Sequence, residues 1–411
     1  MKAMTERINY REHEGWGSGY LALVGLLGVL ILAGLGGAYV METEGHWVTG
    51  MSHRIVWGTP HVFAVFLIVA ASGALNVASV ASVFGKLEYK PLAPLSALVS
   101  LAVLAGGLAI LAADLGRPDR LVVAMTHFNF KSIFALNMFL YSGFFAIVGV
   151  YLWFMMERRM NRYSSTVGLA AFVWRLILTT GTGSIFGFLV AREAYDSALL
   201  GPAFVIYSFA YGTALFLIAA LSALRWDGRA LDGAQAARLG RLLAIFTAAS
   251  LYMTAVFHLT KLYVARYHGI EAFILAEGGI ITALFWIGQV GLGGVLPLAI
   301  LYSPRAGGTR TGVLAAAVLV ALGGLAQMYV TIIGAQAWPQ PIFPGWQETS
   351  RFFDGEIHAY APSVPEFFLA LGGAALAAAL VAVGVKALPF LPDPCTDSSS
   401  PPPTSPPARP R

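Results

Sequence analysis

The stretch Pro94–Arg120 reads "PLSALVSLAVLAGGLAILAADLGRPDR" and joins two opposite kinds of sequence. Its first part, up to Ala113, carries no charged side chain, whereas the seven residues that follow contain two acids and two bases. A helix needs about 20 apolar residues to cross a hydrocarbon core of about 30 Å. The stretch therefore predicts a membrane-spanning helix that ends at the membrane surface in a charged turn, Asp114–Arg120.

The rest of the chain repeats this apolar pattern. Of its 411 residues, 57% are hydrophobic and 11% are charged, and its mean hydropathy is +0.71. A soluble domain has no interior large enough to bury that much apolar surface. Because barrel strands are shorter and alternate in polarity, the long unbroken apolar runs predict an all-α polytopic membrane protein. The ten predicted spans are Ser18–Met41, His61–Phe84, Pro94–Asp114, Ser132–Met155, Val167–Val190, Pro202–Leu224, Leu242–Val264, Gly279–Tyr302, Thr311–Ile333 and Phe367–Val385.

The connections between these spans are too short for a sizeable folded domain outside the membrane. The longest covers residues 334–366, and much of it is rich in proline and aromatic residues. We expect three parts: an N-terminal tail over residues 1–17, a ten-helix membrane domain over 18–390, and a disordered Pro/Ser-rich tail over 391–411. We do not expect the first span to be a signal peptide, because its apolar run is too long, its leader mixes acids with bases, and no clear small-x-small cleavage site follows it.

Lysine and arginine are distributed unequally between the two sides of the membrane. The tails and the even-numbered loops carry 17 of them and the odd-numbered loops carry 7, while Arg175 and Lys261 lie within spans. Since cytoplasmic loops are enriched in Lys and Arg, both termini are predicted in the cytoplasm of a bacterial inner membrane and Asp114–Arg120 on the outer side. A basic cytoplasmic face accounts for the net charge of +5, so no nucleic-acid partner is implied.

The supply of metal ligands limits the cofactors that this chain can hold. Its single cysteine, Cys395, lies in the C-terminal tail, which argues against an iron–sulfur cluster, an attached c-type haem and an internal disulfide. Only His61 and His258 fall within spans, too few for two bis-histidine haems, although one haem between them remains an alternative by count. We therefore predict no metal, haem or cluster on this polypeptide.

Ionisable groups concentrate at the depth of the outer leaflet. Such groups cost about 2.5–3.5 kcal/mol each within a bilayer, which makes them functional candidates. Asp114 ends the third span and His61 opens the second, while His258 and Lys261 lie three residues apart on one face of the seventh. His61 and Asp114 are the predicted catalytic pair, because either can accept a proton. The charges of Asp114–Arg120 suit a purely structural, locally paired turn equally well.

Arg175 lies deeper than the other charged groups, about 12 Å from the cytoplasmic end of the fifth span. Thr179 and Thr182 continue outward from it, so this series is a candidate proton path. The alternative is that these hydroxyls bond to their own helix and stabilise helix contacts. A mid-membrane arginine requires a partner, which the sequence does not identify.

Three segments together resemble one known family of membrane subunits. "MSHRIVWG" at 51–58, "DLGRPDR" at 114–120 and "THFNFKSIFALNMFLYSGF" at 126–144 resemble the NrfD/polysulfide reductase membrane-subunit family, most closely its ten-span DsrP-like branch. The resemblance implies two four-helix bundles, spans 2–5 and spans 6–9, with the other spans flanking them. It also implies a subunit that exchanges electrons between the quinone pool and an iron–sulfur partner.

The resemblance extends these expectations to the site and the partners. It implies a site for menaquinone or ubiquinone at His61, Asp114 and Arg117, to which His258 and Lys261 are added as outer-leaflet candidates. DsrP-like members serve dissimilatory sulfur metabolism beside a ferredoxin-like iron–sulfur subunit, a multihaem cytochrome c and a haem b membrane subunit. Two alternatives remain: a secondary transporter, which ten spans with intramembrane polar groups also suit, and a membrane anchor without quinone chemistry.

Overall fold

The computed structural model describes residues 9–226, 228, 231, 233–340, 343 and 355–392. Within these residues, ten helices are long and apolar enough to cross a membrane, and each overlaps one predicted span, which confirms the predicted fold class. We number them α1 to α10: Ser18–Glu44, Thr59–Ser82, Leu87–Ala113, Ile133–Met156, Asn161–Gly187, Leu200–Trp226, Gly233–Tyr263, Ile280–Tyr302, Arg310–Ala337 and Val364–Ala387. Shorter helices at His46–Val48, Pro118–Arg120, Leu121–Thr126 and His268–Ala272 lie in the connections.

The two ends of the described chain meet on one face. Strand β1, Tyr10–Arg11, pairs antiparallel with strand β2, Leu391–Pro392. We call this the terminal face, and the opposite face, where α2 begins and α3 ends, the distal face. The even number of crossings agrees with the prediction that both termini share one side. Residues 1–8 and 393–411, which make up most of the two predicted tails, lie outside the described residues.

The helices form the two bundles that the family resemblance implies. Helices α2, α3, α4 and α5 close one ring of contacts, and α6, α7, α8 and α9 close a second. The bundles meet where α2 packs against α6 and α9, and where α5 packs against α6. Helix α10 lies against α3 and α2, and α1 packs mainly against α10 on the outside of the first bundle.

Two glycines allow a close approach between the bundles. Gly73 of α2 lies against the carbonyl group of Ser208 on α6, and Gly212 of α6 lies against the backbone of Gly73 and Ala74. A Cβ atom at either glycine would overlap the backbone of the other helix. Glycine therefore lets the two helices touch backbone to backbone, as small residues commonly do between helices in membranes.

Several helices depart from regular α geometry in their interior. Helix α2 consists of Thr59–Ala74 and Asn76–Ser82, separated at Leu75. Helix α8 is π-helical over Leu284–Val295, and α9 is π-helical over Val330–Gly334. Such irregularities often mark functional positions, because they expose carbonyl groups and widen the space between helices.

Candidate functional site

A cavity of about 470 Å³ lies in the first bundle at the distal face. This volume falls within the range of about 300–1,000 Å³ that is usual for small-molecule sites. Its walls come mainly from α2, α3, α4 and α5 and from the short helix Leu121–Thr126, with Trp57 before α2 and Ile332 of α9 completing them. The lining residues are Trp57, His61, Val65, Ile68, Leu108, Leu111, Ala112, Asp114, Leu115, Leu121, Met125, Phe134, Asn137, Met138, Tyr141, Ser142, Thr182, Ile185, Phe186 and Ile332. Most of these side chains are apolar, and the polar ones are few.

His61 lies in the first turn of α2. Pro60 stands at the start of this helix, where its fixed φ suits the first turn and its missing N–H costs no helical hydrogen bond. The segment before the helix is held by Gln336 of α9, whose Oε1 accepts from the backbone N–H groups of Val56 and Trp57 at 2.9 and 3.1 Å. The Trp57 ring lies 6.3 Å from the His61 ring. Because Gln336 belongs to the second bundle, that bundle helps to position the segment that leads into His61.

Asp114 ends α3 and lies between two histidines. Its side chain is only 1% exposed, and its Oδ2 lies 3.1 Å from Nδ1 of His61, without the alignment of a hydrogen bond. Its Oδ1 lies 3.5 Å from Nε2 of His46, which also lies 3.2 Å from the Asp114 carbonyl oxygen. The side chain of His61 is 22% exposed and that of His46 is 36% exposed. The carboxylate therefore connects a cavity-lining imidazole with one that reaches the surface.

One interpretation of the sequence was that the charged side chains of Asp114–Arg120 form ion pairs with one another. Among the described residues, Asp114 forms no ion pair within this turn. Gly116 has a φ of 67°, a left-handed conformation that reverses the chain directly after the helix. Asp114 is thereby left facing the histidines, while Leu115 and residues 117–120 are exposed. In the described part of the chain, Asp114 has ion pairs with histidines and not with the arginines of its own turn. Arg117, a predicted quinone ligand, does not line the cavity.

His258 and Lys261 lie in the second bundle, away from this cavity. Nδ1 of His258 lies 2.7 Å from Oε2 of Glu271, whose side chain is 1% exposed. The Lys261 ammonium donates to the backbone carbonyl of Glu193 and lies 4.0 Å from the centre of the Tyr267 ring. All three residues lie toward the distal face, but the structure places His258 and Lys261 in a different bundle from His61. His61 and His258, which were considered together as ligands of one haem, therefore also lie in different bundles.

Arg175 lies at the centre of a polar network within the first bundle. It is 2% exposed, and its guanidinium donates to the Ser72 carbonyl at 2.9 Å and to Oδ1 of Asn76 at 2.6 Å. The Ser72 carbonyl that accepts this bond lies in the last turn before α2 is interrupted at Leu75. Oγ1 of Thr179 lies 2.7 Å from Oγ of Ser72. The partners that the sequence left unidentified are thus neutral groups on α2.

Thr182 lies closer to the distal face than this network and lines the cavity. Its Oγ1 lies 3.4 Å from Oδ1 of Asn137 and 3.0 Å from the Leu178 carbonyl. The three residues of the predicted proton path therefore follow one another along α5, with Thr182 at the cavity and Arg175 deepest. No direct hydrogen bond joins Thr182 to Thr179 within the described residues.

Two further groups were not found by sequence reasoning. His46 was missed because it follows the first span, although a histidine at a membrane boundary is a usable signal. Glu366, at the start of α10, is fully buried and accepts from the Gly50 N–H at 2.7 Å and from the Tyr360 hydroxyl at 2.8 Å. Burial raises the pKa of Tyr360 well above its ordinary value, so this hydroxyl stays protonated. The Tyr360 oxygen accepts from the Thr59 N–H at 2.7 Å, which ties the start of α2 to α10.

No metal centre is apparent among these groups. Within the described residues, no set of three or more His, Cys, Asp or Glu side chains is arranged to hold a metal ion. The polar groups at the cavity are instead a hydrogen-bonding set on an apolar surface: His61, Asp114, Asn137, Tyr141 and Thr182. Such a set can bind and deprotonate a small apolar molecule that carries oxygen atoms.

Comparison with known proteins agrees with this architecture. Residues 47–340 match the family model described as "Polysulphide reductase, NrfD". The chain is 29% identical to the "Hdr-like menaquinol oxidoreductase integral membrane subunit" of Archaeoglobus fulgidus, over 94% of this chain and 97% of that protein. It is 27% identical to a putative dimethyl sulfoxide reductase membrane subunit of Halobacterium salinarum, over 91% of this chain and 92% of that protein.

A third relative is matched to a similar extent. The chain is 24% identical to a selenate reductase subunit of Mesobacillus selenatarsenatis, over 90% of this chain and 92% of that protein. All three relatives are matched over nearly their whole length, so the likeness covers the complete set of ten helices and not one bundle alone. The ten-helix architecture, the family match over most of the chain and these full-length relatives lead to one conclusion: the chain belongs to the NrfD family of integral membrane subunits.

Proposed function

We propose that this chain is the quinone-interacting membrane subunit of an electron-transfer complex, and that the distal cavity is its quinone site. One observation carries the proposal: the buried Asp114 and its partner His61 lie in the wall of a largely apolar cavity inside the membrane-spanning region. A quinone has the matching chemistry, since it combines two ring oxygens with a long apolar tail. The Archaeoglobus relative is named a menaquinol oxidoreductase subunit, so menaquinol is the first quinol to test.

The shape of the cavity supports this assignment. His61 and Asp114 stand on the α2 and α3 side, whereas Asn137 and Tyr141 stand on α4, so polar groups face the head group from two sides. Two of the lining residues, Phe134 and Ser142, are exposed on the outside of α4. The cavity therefore opens sideways toward lipid, which gives the tail of a quinone a route in and out.

Oxidation of a quinol at this site releases two electrons and two protons. His61 accepts the two protons of the quinol hydroxyls one after the other, and the Asp114 carboxylate stabilises the imidazolium each time it forms. Asp114 then connects His61 with the more exposed His46, which returns the proton to water at the distal face. The two electrons pass to an iron–sulfur subunit docked on that face. The direction is reversed for quinone reduction.

We further propose the remaining assignments that the sequence suggested. The chain lies in a bacterial inner membrane with its termini in the cytoplasm, and residues 18–390 form its membrane domain. Arg175, Thr179 and Thr182 conduct protons between the cytoplasmic side and the cavity. The family resemblance, and not the geometry, suggests the ferredoxin-like partner, the cytochrome c and haem b subunits and the role in sulfur metabolism. The relatives are named as subunits of several different oxidoreductases.

Binding of a quinone analogue to the purified chain tests the site directly. Trp57 lines the cavity, so a bound quinone ring should quench its fluorescence in lipid nanodiscs. We expect saturable quenching that is largely lost in Trp57→Phe and retained in the control Trp153→Phe, which replaces an exposed tryptophan on α4. Saturable binding separates this proposal from a membrane anchor without quinone chemistry. Equal quenching in both variants, or none in the unsubstituted chain, would refute it.

A further inference from the structure

Helix α7 carries a polar stripe that the quinone cavity does not use. Thr247, Ser250, Thr254 and His258 are spaced by three or four residues, which places them on one face of the helix. The three hydroxyl residues are 2%, 9% and 5% exposed. The stripe runs about 17 Å along the helix axis, from the middle of the span toward the distal face. It therefore points into the second bundle, which the proposed quinone chemistry does not involve.

Two small cavities follow this stripe inside the second bundle. One has a volume of about 20 Å³ and is lined by Thr247, Ser250 and Thr254, among other residues. The other has a volume of about 40 Å³ and is lined by Thr254 and His258. Both also share Gln289 and Gln327, so they are neighbours along one path. A cavity with about 10–15 Å³ of such space and two to four polar partners is large enough to hold a water molecule.

The strongest indication of bound water is a pair of buried hydroxyl groups. Oγ1 of Thr247 and Oγ of Ser250 have no hydrogen-bond partner among the described residues. Both residues are at least nine-tenths buried, and both line the smaller cavity. A buried hydroxyl without a partner is strongly disfavoured, and helical Ser and Thr ordinarily bond to their own backbone. Water in the cavity supplies the missing partners.

Polar groups continue from this cavity to the distal end of the bundle. Oγ1 of Thr254 accepts from Nε2 of Gln289 at 3.2 Å and lies 3.3 Å from the Tyr207 hydroxyl. Beyond Thr254 stands the pair of His258 and Glu271, with Nδ1 and Oε2 separated by 2.7 Å. This pair provides a proton acceptor at the end of the polar path, and Glu271 itself is almost completely buried.

The path ends near the middle of the membrane. Toward the terminal face from Thr247, the buried residues of α7 are Ala244, Leu243, Gly240, Leu239 and Ala236. Toward the first bundle, the ring of Phe209 lies 5.2 Å from that of Phe246 and 5.3 Å from the Arg175 guanidinium. These apolar side chains separate the stripe from the Arg175 network. A continuous water chain across the membrane would leak protons, and this separation prevents it.

We propose that the second bundle holds a chain of internal water molecules, which connects the His258–Glu271 pair with Ser250 and Thr247 as a proton-conducting half-channel open toward the distal face. Its ligand is water, and the only step is proton transfer between oxygen and nitrogen atoms, so no oxidant or reductant is needed. The half-channel is separate from the quinone cavity, and its existence does not depend on quinone binding there.

Hydroxyl-radical footprinting of the full chain in nanodiscs tests for the water. Radicals made by a short X-ray pulse arise from the water itself and oxidise the side chains next to it. Tyr211 lines the smaller cavity and is 3% exposed, whereas the control Tyr151 is 1% exposed and bonds to Ser82 Oγ at 2.7 Å. We expect Tyr211 to be oxidised several-fold faster than Tyr151. Equal rates would overturn the proposal.

Variants separate a water chain from general accessibility. Ser250→Val fills the smaller cavity and removes a water partner, so it should reduce oxidation of Tyr211 several-fold. Thr260→Val is the matched control, because Thr260 is an exposed threonine on the same helix. A similar loss of Tyr211 oxidation in both variants would contradict the proposed water chain.

Proton conduction is tested in proteoliposomes that contain the complete complex. Glu271→Gln should lower the number of protons moved per electron while quinol oxidation continues at a comparable rate. An unchanged ratio, or no proton movement in the unsubstituted complex, would overturn the conducting role. If the proposed quinone site were wrong, quinone-analogue binding and quinol oxidation would not depend on the distal cavity. The quinone site and the half-channel can therefore be refuted separately.

Discussion

At the scale of the residue, Asp114 is the group on which the proposed chemistry depends. Its carboxylate is buried between His61, which lines the cavity, and His46, which is partly exposed. A buried carboxylate with a histidine on each side can hold a proton on its way from one imidazole to the other. His46, the more exposed of the two imidazoles, is the one placed to exchange the proton with water.

Replacing Asp114 by asparagine keeps the shape of the side chain and removes its charge. We expect quinol-linked turnover of the reconstituted complex to fall by about 10²-fold, within the range for loss of acid–base assistance, while the complex stays assembled. The matched control is Asp119→Asn, an exposed acid in the same turn, which should leave turnover near its original value. Unchanged turnover in Asp114→Asn would remove this residue from the site.

His46→Gln tests the proposed exit of the proton. His46 does not line the cavity, so affinity for a quinone analogue should be unchanged while turnover falls, roughly tenfold and less than for loss of a general base. His127→Gln, at an exposed histidine on the same face, serves as the control. Loss of analogue binding together with turnover would mean that His46 shapes the site and does not relay protons.

At the scale of the element, α5 carries the predicted proton path on one side. Thr179 is buried within the Arg175 network, whereas its neighbour Thr180 is exposed. Arg175 in turn donates to the Ser72 carbonyl of α2, so the two helices are joined by a polar contact in the middle of the membrane. A group that only stabilised helix packing would not affect proton transfer.

Thr179→Val distinguishes these two roles, and Thr180→Val is its control. If protons pass through the network, turnover falls several-fold in Thr179→Val and its solvent deuterium isotope effect increases, because proton transfer becomes rate-limiting. The control should change neither quantity. A lower thermal stability with an unchanged isotope effect would assign Thr179 to packing alone.

The features that could be predicted from the sequence depend on local properties of the chain, whereas those that could not depend on how the helices pack. The ten spans were predictable because hydropathy is a local property of twenty-residue segments. His61 and Asp114 could be selected as candidates because ionisable side chains are rare within apolar spans. His258 and Lys261 show the limit of prediction from sequence. Sequence gives the depth of a residue along the membrane normal, but its position in the membrane plane depends on which helices pack together. His46 was missed because a histidine in a loop does not stand out in this way.

At the scale of the whole molecule, the two bundles form one body through the contact of α2 with α6. Gly73 and Gly212 let these helices meet at their backbones. The same two helices belong to different bundles, one with the quinone cavity and one with the polar stripe. Their contact therefore sets the distance between the proton routes proposed for the first bundle and the half-channel proposed for the second.

Gly212→Leu should separate the bundles. A side chain at this position overlaps the backbone of Gly73 and Ala74, and overpacking of this kind typically costs about 1–3 kcal/mol. We expect a clearly lower temperature of thermal unfolding in detergent. Gly25→Leu is the control, since nothing lies within 4 Å of a Cβ at Gly25 on α1. Equal unfolding temperatures would show that the bundles tolerate a wider spacing.

The packing of α1 against α10 has a consequence for biosynthesis. The ribosome delivers α1 first, and α10 emerges only after both bundles have been translated. The nascent first segment must therefore reside in lipid, or beside the insertion machinery, without its partner. Its final docking is a late event, and termination of translation before the last segment would leave α1 without its main contact.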